Sequence, residues 1–298
     1  MTDPDRLLAT CWTTAGDAAP YAGQHTSPLS LRSRIEAAQR AGFTAFGILD
    51  FDLRVFLLDH DLATLRSILD DNGMEGIELE FLTRWWTEGE ERAASDASRA
   101  LLFSAAEALG AHHVKVAPDL DDVSAPDVGF WAESFAELAS DAARHGTHVA
   151  LEFMPFANVS TLDCAAEIVA AAGHPAGGLL VDIWHVQRSG VAPESVASVP
   201  LDAIFAIELD DGTAGPVGDP YDDTCLRRLL PGEGEFPVVD FAAVLIEMGW
   251  SLPWGVEIIS DTYRMRDLDD ALPDVVSSTR RVLDCARRQV HERHTSAN

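Results

Sequence analysis

Short apolar runs alternate with longer helical patterns along the chain, and this alternation limits the fold more than any other feature. The runs are rich in Val, Ile, Leu or Phe and lie near turn residues, as strands of a parallel sheet buried on both faces do. The eight predicted strands are Leu7–Trp12, Ala45–Leu49, Gly76–Phe81, His113–Ala117, His148–Phe153, Gly178–Ile183, Ala203–Leu209 and Trp254–Ile259.

The segments between these runs have helical periodicity, and several end at a glycine just past the last periodic residue. The predicted helices are Leu29–Ala41, Leu62–Asn72, Ser95–Leu109, Val128–His145, Thr161–Ala172, a weak one at Glu194–Val199, Val239–Met248 and Asp267–Arg288. Eight strand–helix alternations favour an α/β fold, a closed (β/α)₈ TIM barrel, over an open doubly wound sheet. A length of 298 residues suits one such domain, so residues 1–298 are predicted to form a single domain.

The charge of the chain narrows the choice of partners. Its formal net charge is −28, which would repel nucleic-acid phosphates and anionic lipid headgroups. The four cysteines have no paired spacing, and the N-terminus lacks a basic region followed by an apolar run. We therefore expect a cytoplasmic protein with reduced thiols, with no membrane or nucleic-acid partner, whose partner is a small polar substrate.

Four acidic residues close the fifth to eighth predicted strands, where the catalytic groups of such barrels gather. They are Glu152, Asp182, Glu208 and Glu257. A carboxylate inside an apolar strand is costly unless something compensates its charge. A structural salt bridge could compensate any one of them, but a divalent cation explains all four. Oxygen ligands suit Mn²⁺ or Mg²⁺, with Co²⁺, Fe²⁺ or Zn²⁺ as alternatives.

Other polar and aromatic residues at the strand ends are candidates for substrate contacts. His185 could face the same pocket as a substrate partner or orient another ligand. Lys115 could point inward to a substrate oxygen or outward along a helix. One of Glu78 and Glu80, which share a face of the third strand, could reach the pocket. The aromatic residues that could wall it are Trp12, Trp85, Trp86, Phe153 and Trp184. The irregular stretch Asp210–Pro237, with five Gly and four Pro, is predicted to be a long functional loop.

Five motifs resemble the xylose isomerase-like TIM-barrel superfamily, the sugar phosphate isomerase/epimerase family. They are the LEF glutamate, the GLLVDxxHxxxSG segment at Gly178–Gly190, the ELDDG strand end, the RLLPGEGEF loop at Arg228–Phe236 and the GVEI glutamate. The resemblance runs over residues 5–285, although its specific motifs lie between about 148 and 260. Related barrels often form dimers or tetramers, so a homo-oligomer is possible, but the sequence does not determine the oligomeric state.

The resemblance implies roles for individual residues. It implies metal ligands at Glu152, Asp182, Glu208 and Glu257. Glu152 and Glu257 would act as the acid/base pair at a carbon next to a metal-polarised carbonyl. His185 and Arg228 would contact substrate, and Lys115 and Trp12 are added as substrate-binding residues from the strand-end positions. Glu208 departs from the epimerase-like branch, which commonly has His there, and a fourth carboxylate favours Mg²⁺ or Mn²⁺ over Zn²⁺.

The leading functional prediction is an isomerase or epimerase of a free sugar, cyclitol or related keto-polyol. Proton abstraction next to a carbonyl also begins a β-elimination, so a dehydratase like the inosose and dehydroshikimate dehydratases is the alternative. A barrel that binds a small molecule without catalysis is a third hypothesis. The endonuclease-like branch is excluded by the acidic charge and the few suitable histidines.

Overall fold

The computed structural model describes residues 6–20 and 25–296, which contain a closed barrel of eight parallel strands in chain order. The last strand pairs with the first, so the predicted closed barrel is confirmed and the open sheet is wrong. The strands are β1 Leu7–Ala9, β2 Ala45–Leu49, β3 Gly76–Leu82, β4 His113–Val116, β5 His148–Glu152, β6 Gly177–Asp182, β7 Ile204–Leu209 and β8 Trp254–Val256.

Helices connect the strands and surround the barrel. They are α1 Cys11–Thr14, α2 Leu31–Ala41, α3 Asp50–Phe56, α4 Leu62–Asp71, α5 Gly89–Leu109, α6 Val128–Arg144, α7 Leu162–Ala172, α8 Ile183–Arg188, α9 Pro220–Leu226, α10 Val238–Met248 and α11 Leu268–Ser296. The weak helix predicted at Glu194–Val199 is a 3₁₀ helix at Pro193–Ser198. Within the described ranges, no helix is both long and apolar enough to cross a bilayer.

Local capping explains where the main helices begin and end. The side chains of Ser30, Asp61 and Thr161 accept hydrogen bonds from backbone N–H groups in the first turns of α2, α4 and α7. The helices α2 and α10 end at Gly42 and Gly249, whose positive φ angles of 103° and 93° suit glycine. The predicted order of helix, then glycine, then strand is therefore explained by glycines that end helices with a positive φ angle.

The interior of the barrel changes from apolar to acidic toward the C-terminal ends of the strands. Ala150, Leu180 and Ala206 form a small buried apolar cluster. Because side chains alternate along a strand, the residues two positions later also face inward. Those residues are Glu152, Asp182 and Glu208. The apolar cluster therefore forms the base beneath the acidic groups.

Three differences from the sequence-based expectation concern the mouth of the barrel. Strand β1 ends at Ala9, so Trp12 lies in α1, and β8 ends at Val256, so Glu257 lies one residue beyond it. The stretch Asp210–Pro237 is more ordered than predicted, because it contains α9. The Asp211 side chain also fastens it, accepting hydrogen bonds from the N–H groups of Gly232 and Phe236 at 2.9 Å each.

Candidate metal centre and active site

A cavity of about 320 Å³ opens at the C-terminal mouth of the barrel. Its polar floor includes Glu80, Lys115, Glu152, Arg228 and Glu257. All five side chains are at most 3% exposed, although together they carry three acidic and two basic groups. This concentration of buried charge lies where barrel folds place their catalytic groups.

The structure brings the four predicted metal ligands together. Glu152, Asp182, Glu208 and Glu257 each offer one carboxylate oxygen, and these four atoms lie within 4.8 Å of one another. His185 offers an alternative, because its ring nitrogen forms a similar group with Glu152 and Asp182. The predicted convergence is present in the geometry, and the role of each residue as a ligand stays a prediction.

The unsatisfied oxygens of this cluster fit a divalent cation. Among the described residues, neither carboxylate oxygen of Glu208 nor Oε1 of Glu152 accepts a well-aligned hydrogen bond. Nζ of Lys115 and Nε2 of His185 make ionic contacts with Oε1 of Glu208 and Oε1 of Glu152, at 2.6 and 3.3 Å. Buried polar atoms normally have hydrogen-bond partners. Hard divalent cations take carboxylate oxygens as ligands, so the donor set matches the predicted ion.

The charge balance supports the same conclusion. Six buried acids line or underlie the cavity floor: Glu80, Glu152, Asp182, Glu208, Asp210 and Glu257. The cations in contact with them are Lys115 and Arg228, which leaves a formal excess of four negative charges. A bound divalent ion would halve this excess.

Burial makes the ionised carboxylates costly, and their pKa values show this. Burial raises the pKa of Glu257 to about 7, although Lys115 and Arg228 favour its ionised form. For Glu152 burial has the same tendency, but the charge of Lys115 and the neighbouring His185 lower its pKa to about 2. Burial also raises the pKa of Glu208, and the neighbouring Glu257 raises it further. These carboxylates therefore depend on nearby cations to stay ionised.

His185 faces the cluster because β6 passes directly into α8. The Asp182 side chain caps this helix by accepting a hydrogen bond from the N–H of Trp184 at 2.8 Å. His185 then lies in the first turn, with Nε2 at 3.3 Å from Oε1 of Glu152 and 3.7 Å from Oδ2 of Asp182. The ring also lines the cavity. The predicted position facing the pocket is confirmed, and contact with substrate stays a prediction.

Lys115 and Arg228 both line the cavity, but their charged groups are engaged by carboxylates. Lys115 points inward, the first of its two predicted orientations, and its Nζ lies 2.6 Å from Oε1 of Glu208. Nη1 of Arg228 lies 2.7 Å from Oδ2 of Asp182 and 3.2 Å from Oε2 of Glu257. Both side chains therefore hold the acids, and their contact with substrate stays a prediction.

The sequence-based prediction did not include Asp210 and left open whether Glu78 or Glu80 reaches the cavity. Asp210 follows Glu208 by two residues, is fully buried and contacts Arg228. The ELDD motif contained it, but its place just after the strand end gave no sign of its direction. Glu80 is the member of the Glu78 and Glu80 pair that reaches the cavity. Glu78 instead contacts Nε2 of His113 at 2.7 Å.

The aromatic wall of the cavity differs from the predicted one. Trp12 lines it, as expected. The other four aromatic residues proposed from the sequence, Trp85, Trp86, Phe153 and Trp184, are packed in the core instead. Their places in the wall are taken by Phe51, Phe81, Phe156 and Tyr221. Phe156 lies edge-on to Tyr221 and His185, at ring-centre distances of 5.7 and 6.0 Å.

A closed barrel of parallel strands with buried carboxylates converging at its C-terminal mouth defines a class of metal-site TIM barrels. The chain belongs to the xylose isomerase-like TIM-barrel family, whose model matches residues 35–285. This confirms the family predicted from the five motifs.

Relatives with assigned activities confirm the predicted enzyme class. The chain is 25% identical to an inosose isomerase of Halalkalibacterium halodurans over 82% of its own length and 88% of the relative's. It is 24% identical to a 3-dehydroshikimate dehydratase of Pseudomonas aeruginosa over 79% of its length, a match that spans 37% of that protein. Both the leading reaction, an isomerisation or epimerisation, and the alternative, a dehydration, are represented.

Solved structures show the same fold. The IOLI protein with a bound zinc atom has a TM-score of 0.80 at 22% identity, covering 93% of this chain and 98% of that one. An L-ribulose 3-epimerase has a TM-score of 0.73 at 15% identity, covering 96% and 97%. A metal ion thus occurs in one barrel of this architecture, and the acidic cluster here fits a divalent ion.

Proposed function

We propose that this protein is a divalent-metal-dependent isomerase or epimerase that moves a proton at a carbon next to a carbonyl group. One observation carries the assignment of the acid/base pair. Of the four clustered carboxylates, Glu152 and Glu257 line the cavity, whereas Asp182 and Glu208 lie beneath its floor. The two groups that reach the cavity are the ones able to exchange a proton with a bound molecule.

The proposed ligands of the ion are Glu152, Asp182, Glu208 and Glu257. A bound Mn²⁺ or Mg²⁺ would polarise the substrate carbonyl as a Lewis acid. Glu152 and Glu257 are held by β5 and at the end of β8, so they approach a bound molecule from different sides of the barrel. One, ionised at the start, takes the proton next to the carbonyl, and the other, protonated at the start, donates its own proton to the opposite face or to the neighbouring carbon, so the two groups exchange protonation states.

The proposed substrate is a small neutral polyol with a carbonyl group, such as a keto sugar or cyclitol. The acidic floor disfavours anions, and both cations in it are engaged by carboxylates. Rings of Trp12 and Phe156 in the wall can pack against the apolar face of a sugar ring. The net charge of −28 supports a small molecule rather than nucleic acid or a membrane surface as the partner.

A dehydratase is the second candidate, supported by the similarity to 3-dehydroshikimate dehydratases. The same proton abstraction would then be followed by loss of a hydroxide from the β-carbon. The two reactions differ in their products, because an isomerase conserves the mass of its substrate and a dehydratase releases water.

The test begins with the metal content of protein purified without chelator, measured by mass spectrometry. We expect about one Mn²⁺- or Mg²⁺-type ion per chain, and less in Glu152→Gln and Glu257→Gln variants. Glu75→Gln is the control, because Glu75 is exposed just before β3 at the other end of the barrel.

Keto sugars and inososes are then incubated in deuterated water with the loaded enzyme. Deuterium uptake at constant carbon skeleton indicates isomerisation, and loss of water indicates dehydration. Absence of bound metal even after incubation with Mn²⁺ would overturn the proposal.

A further inference from the structure

Lys115 is the sole lysine of the chain. Of the 21 basic residues, the other 20 are arginines, of which Arg228 lines the cavity. Lys115 is 2% exposed and extends from β4 into the barrel. A lysine ammonium is a compact point charge, whereas an arginine presents a broad planar fork. Of the two cations among the described residues that line the cavity, Lys115 is therefore the compact one and Arg228 the broad one.

The ammonium group of Lys115 contacts carboxylates from three different strand ends. Its Nζ lies 2.6 Å from Oε1 of Glu208, 2.9 Å from Oε1 of Glu257 and 3.2 Å from Oε2 of Glu80. The contact with Oε1 of Glu257 is a hydrogen bond donated by Nζ, and the contacts with Glu208 and Glu80 are ionic. The group is thus surrounded by acids, and two of these, Glu208 and Glu257, are also proposed metal ligands.

This arrangement excludes a role of Lys115 as a free amine. A nucleophilic lysine that forms a Schiff base must be uncharged and unpaired. Lys115 is instead paired, because three carboxylates lie within 3.2 Å of its Nζ and favour the charged ammonium form.

We infer that Lys115 is an internal counter-ion, which holds Glu208 and Glu257 in the metal-free barrel and weakens the binding of the metal ion that shares them. The inference rests on the metal site of the proposed function. An ammonium group beside two ligand carboxylates repels an incoming divalent cation, and it also offsets the repulsion among these carboxylates while the ion is absent. Lys115 is thus a positioning residue that acts through the two glutamates.

The test compares Lys115→Met with Arg34→Met. Arg34 is a matched control, since it is also fully buried and ion-paired, but its partner is Asp52 and it lies outside the carboxylate cluster. In Lys115→Met we expect Mn²⁺ to bind at least about tenfold more tightly by calorimetry, because one positive charge near the ion is removed. We also expect a lower thermal midpoint in chelator that saturating Mn²⁺ restores. In Arg34→Met the midpoint should fall equally with and without Mn²⁺, at unchanged Mn²⁺ affinity.

Unchanged or weaker Mn²⁺ binding by Lys115→Met, or a loss of stability that Mn²⁺ does not restore, overturns the inference. If the wild type itself binds no Mn²⁺, the proposed function fails instead, so the two failures are distinguishable.

A measurement on the wild type covers the case in which Lys115→Met does not fold. Labelling with ¹⁵N-lysine marks one side chain, and its Nζ resonance should shift on saturation with diamagnetic Mg²⁺ or Zn²⁺. A resonance unmoved by a bound ion contradicts shared carboxylates.

Discussion

Nη1 of Arg228 donates a hydrogen bond to Oδ2 of Asp182 at 2.7 Å, and the same nitrogen contacts Asp210. Asp182 is the last residue of β6, and Asp210 directly follows the neighbouring strand β7. All three side chains are at most 2% exposed. Burial raises the pKa of Asp210 well above its usual value, and the neighbouring Asp182 adds to this effect. The guanidinium group is therefore the cation on which both acids depend.

Replacing this cation should destabilise the metal-free protein. The variant Arg228→Met leaves Asp182 and Asp210 buried without their counter-ion. Removing one partner of a buried ion pair typically costs about 3–5 kcal/mol. We expect the free energy of unfolding in urea, measured with chelator, to fall by that amount.

A double variant separates charge from packing in this experiment. Adding Asp210→Asn to Arg228→Met removes one of the stranded charges, so part of the lost free energy of unfolding should return. If the double variant is no more stable than Arg228→Met, the loss comes from packing of the arginine side chain and the electrostatic account is wrong.

His185 should strengthen metal binding through Glu152. Its Nε2 lies 3.3 Å from Oε1 of Glu152 and orients that carboxylate. Groups that orient metal ligands typically change affinity by about 10- to 100-fold when replaced. We expect His185→Gln to weaken Mn²⁺ binding by that factor in calorimetry. His174→Gln, on a partly exposed turn before β6, is the control, and equal affinities in the two variants would contradict this role.

The fold was predictable from the sequence because burial on both faces leaves a strong local signal in each strand. The run His148–Phe153 is apolar except at His148 and Glu152, and the structure places β5 at His148–Glu152. Helices α3, α8 and α9 were not predicted, since each has only six or seven residues. Such short helices follow strand ends or lie in loops, where tertiary contacts rather than periodicity decide the conformation.

The site was predictable where residues lie inside strands and less so beyond them. Alternation along β5 and β7 fixes the direction of Glu152 and Glu208. Asp210 lies past the last residue of β7, where alternation no longer applies, and its contact with Arg228 joins positions 18 residues apart. The prediction of the aromatic wall was mostly wrong because alternation also gives no direction for a residue after a strand. A tryptophan at such a position, such as Trp184, can pack into the core.

Phe156 should contribute to substrate affinity more than to catalysis. It lies in the cavity wall, edge-on to His185, and no reacting group is needed from an aromatic ring. Aromatic contacts contribute about 0.5–1.5 kcal/mol beyond their buried area. For the substrate found in deuterium exchange, Phe156→Ala should raise KM roughly two- to tenfold while kcat changes little. Phe130→Ala, at an exposed ring in α6, is the control. An unchanged KM would remove Phe156 from the substrate site.

Acid should destabilise the protein through His112, at the opposite end of the barrel from the cavity. Burial, together with the smaller effects of its neighbours His113 and His148, lowers the pKa of this histidine to about 4. An unfolded chain has a histidine pKa of about 6.5. Between these values the unfolded state binds a proton that the folded state does not, so stability decreases as pH falls. The slope for one such group is at most about 1.4 kcal/mol per pH unit.

The variant His112→Gln isolates this effect, because the nearby Glu78 and His113 pair contributes little in the same range. Burial raises the pKa of Glu78 to about 7 and lowers that of His113 to about 3. Between pH 4.5 and 6.5 the folded pair holds its proton on Glu78, and the unfolded chain holds it on His113, so the number of bound protons is equal. The difference in free energy of unfolding between wild type and His112→Gln should therefore change steadily from pH 6.5 to about 4. A difference that stays constant across this range would show that His112 is already protonated in the folded protein or remains neutral in the unfolded one.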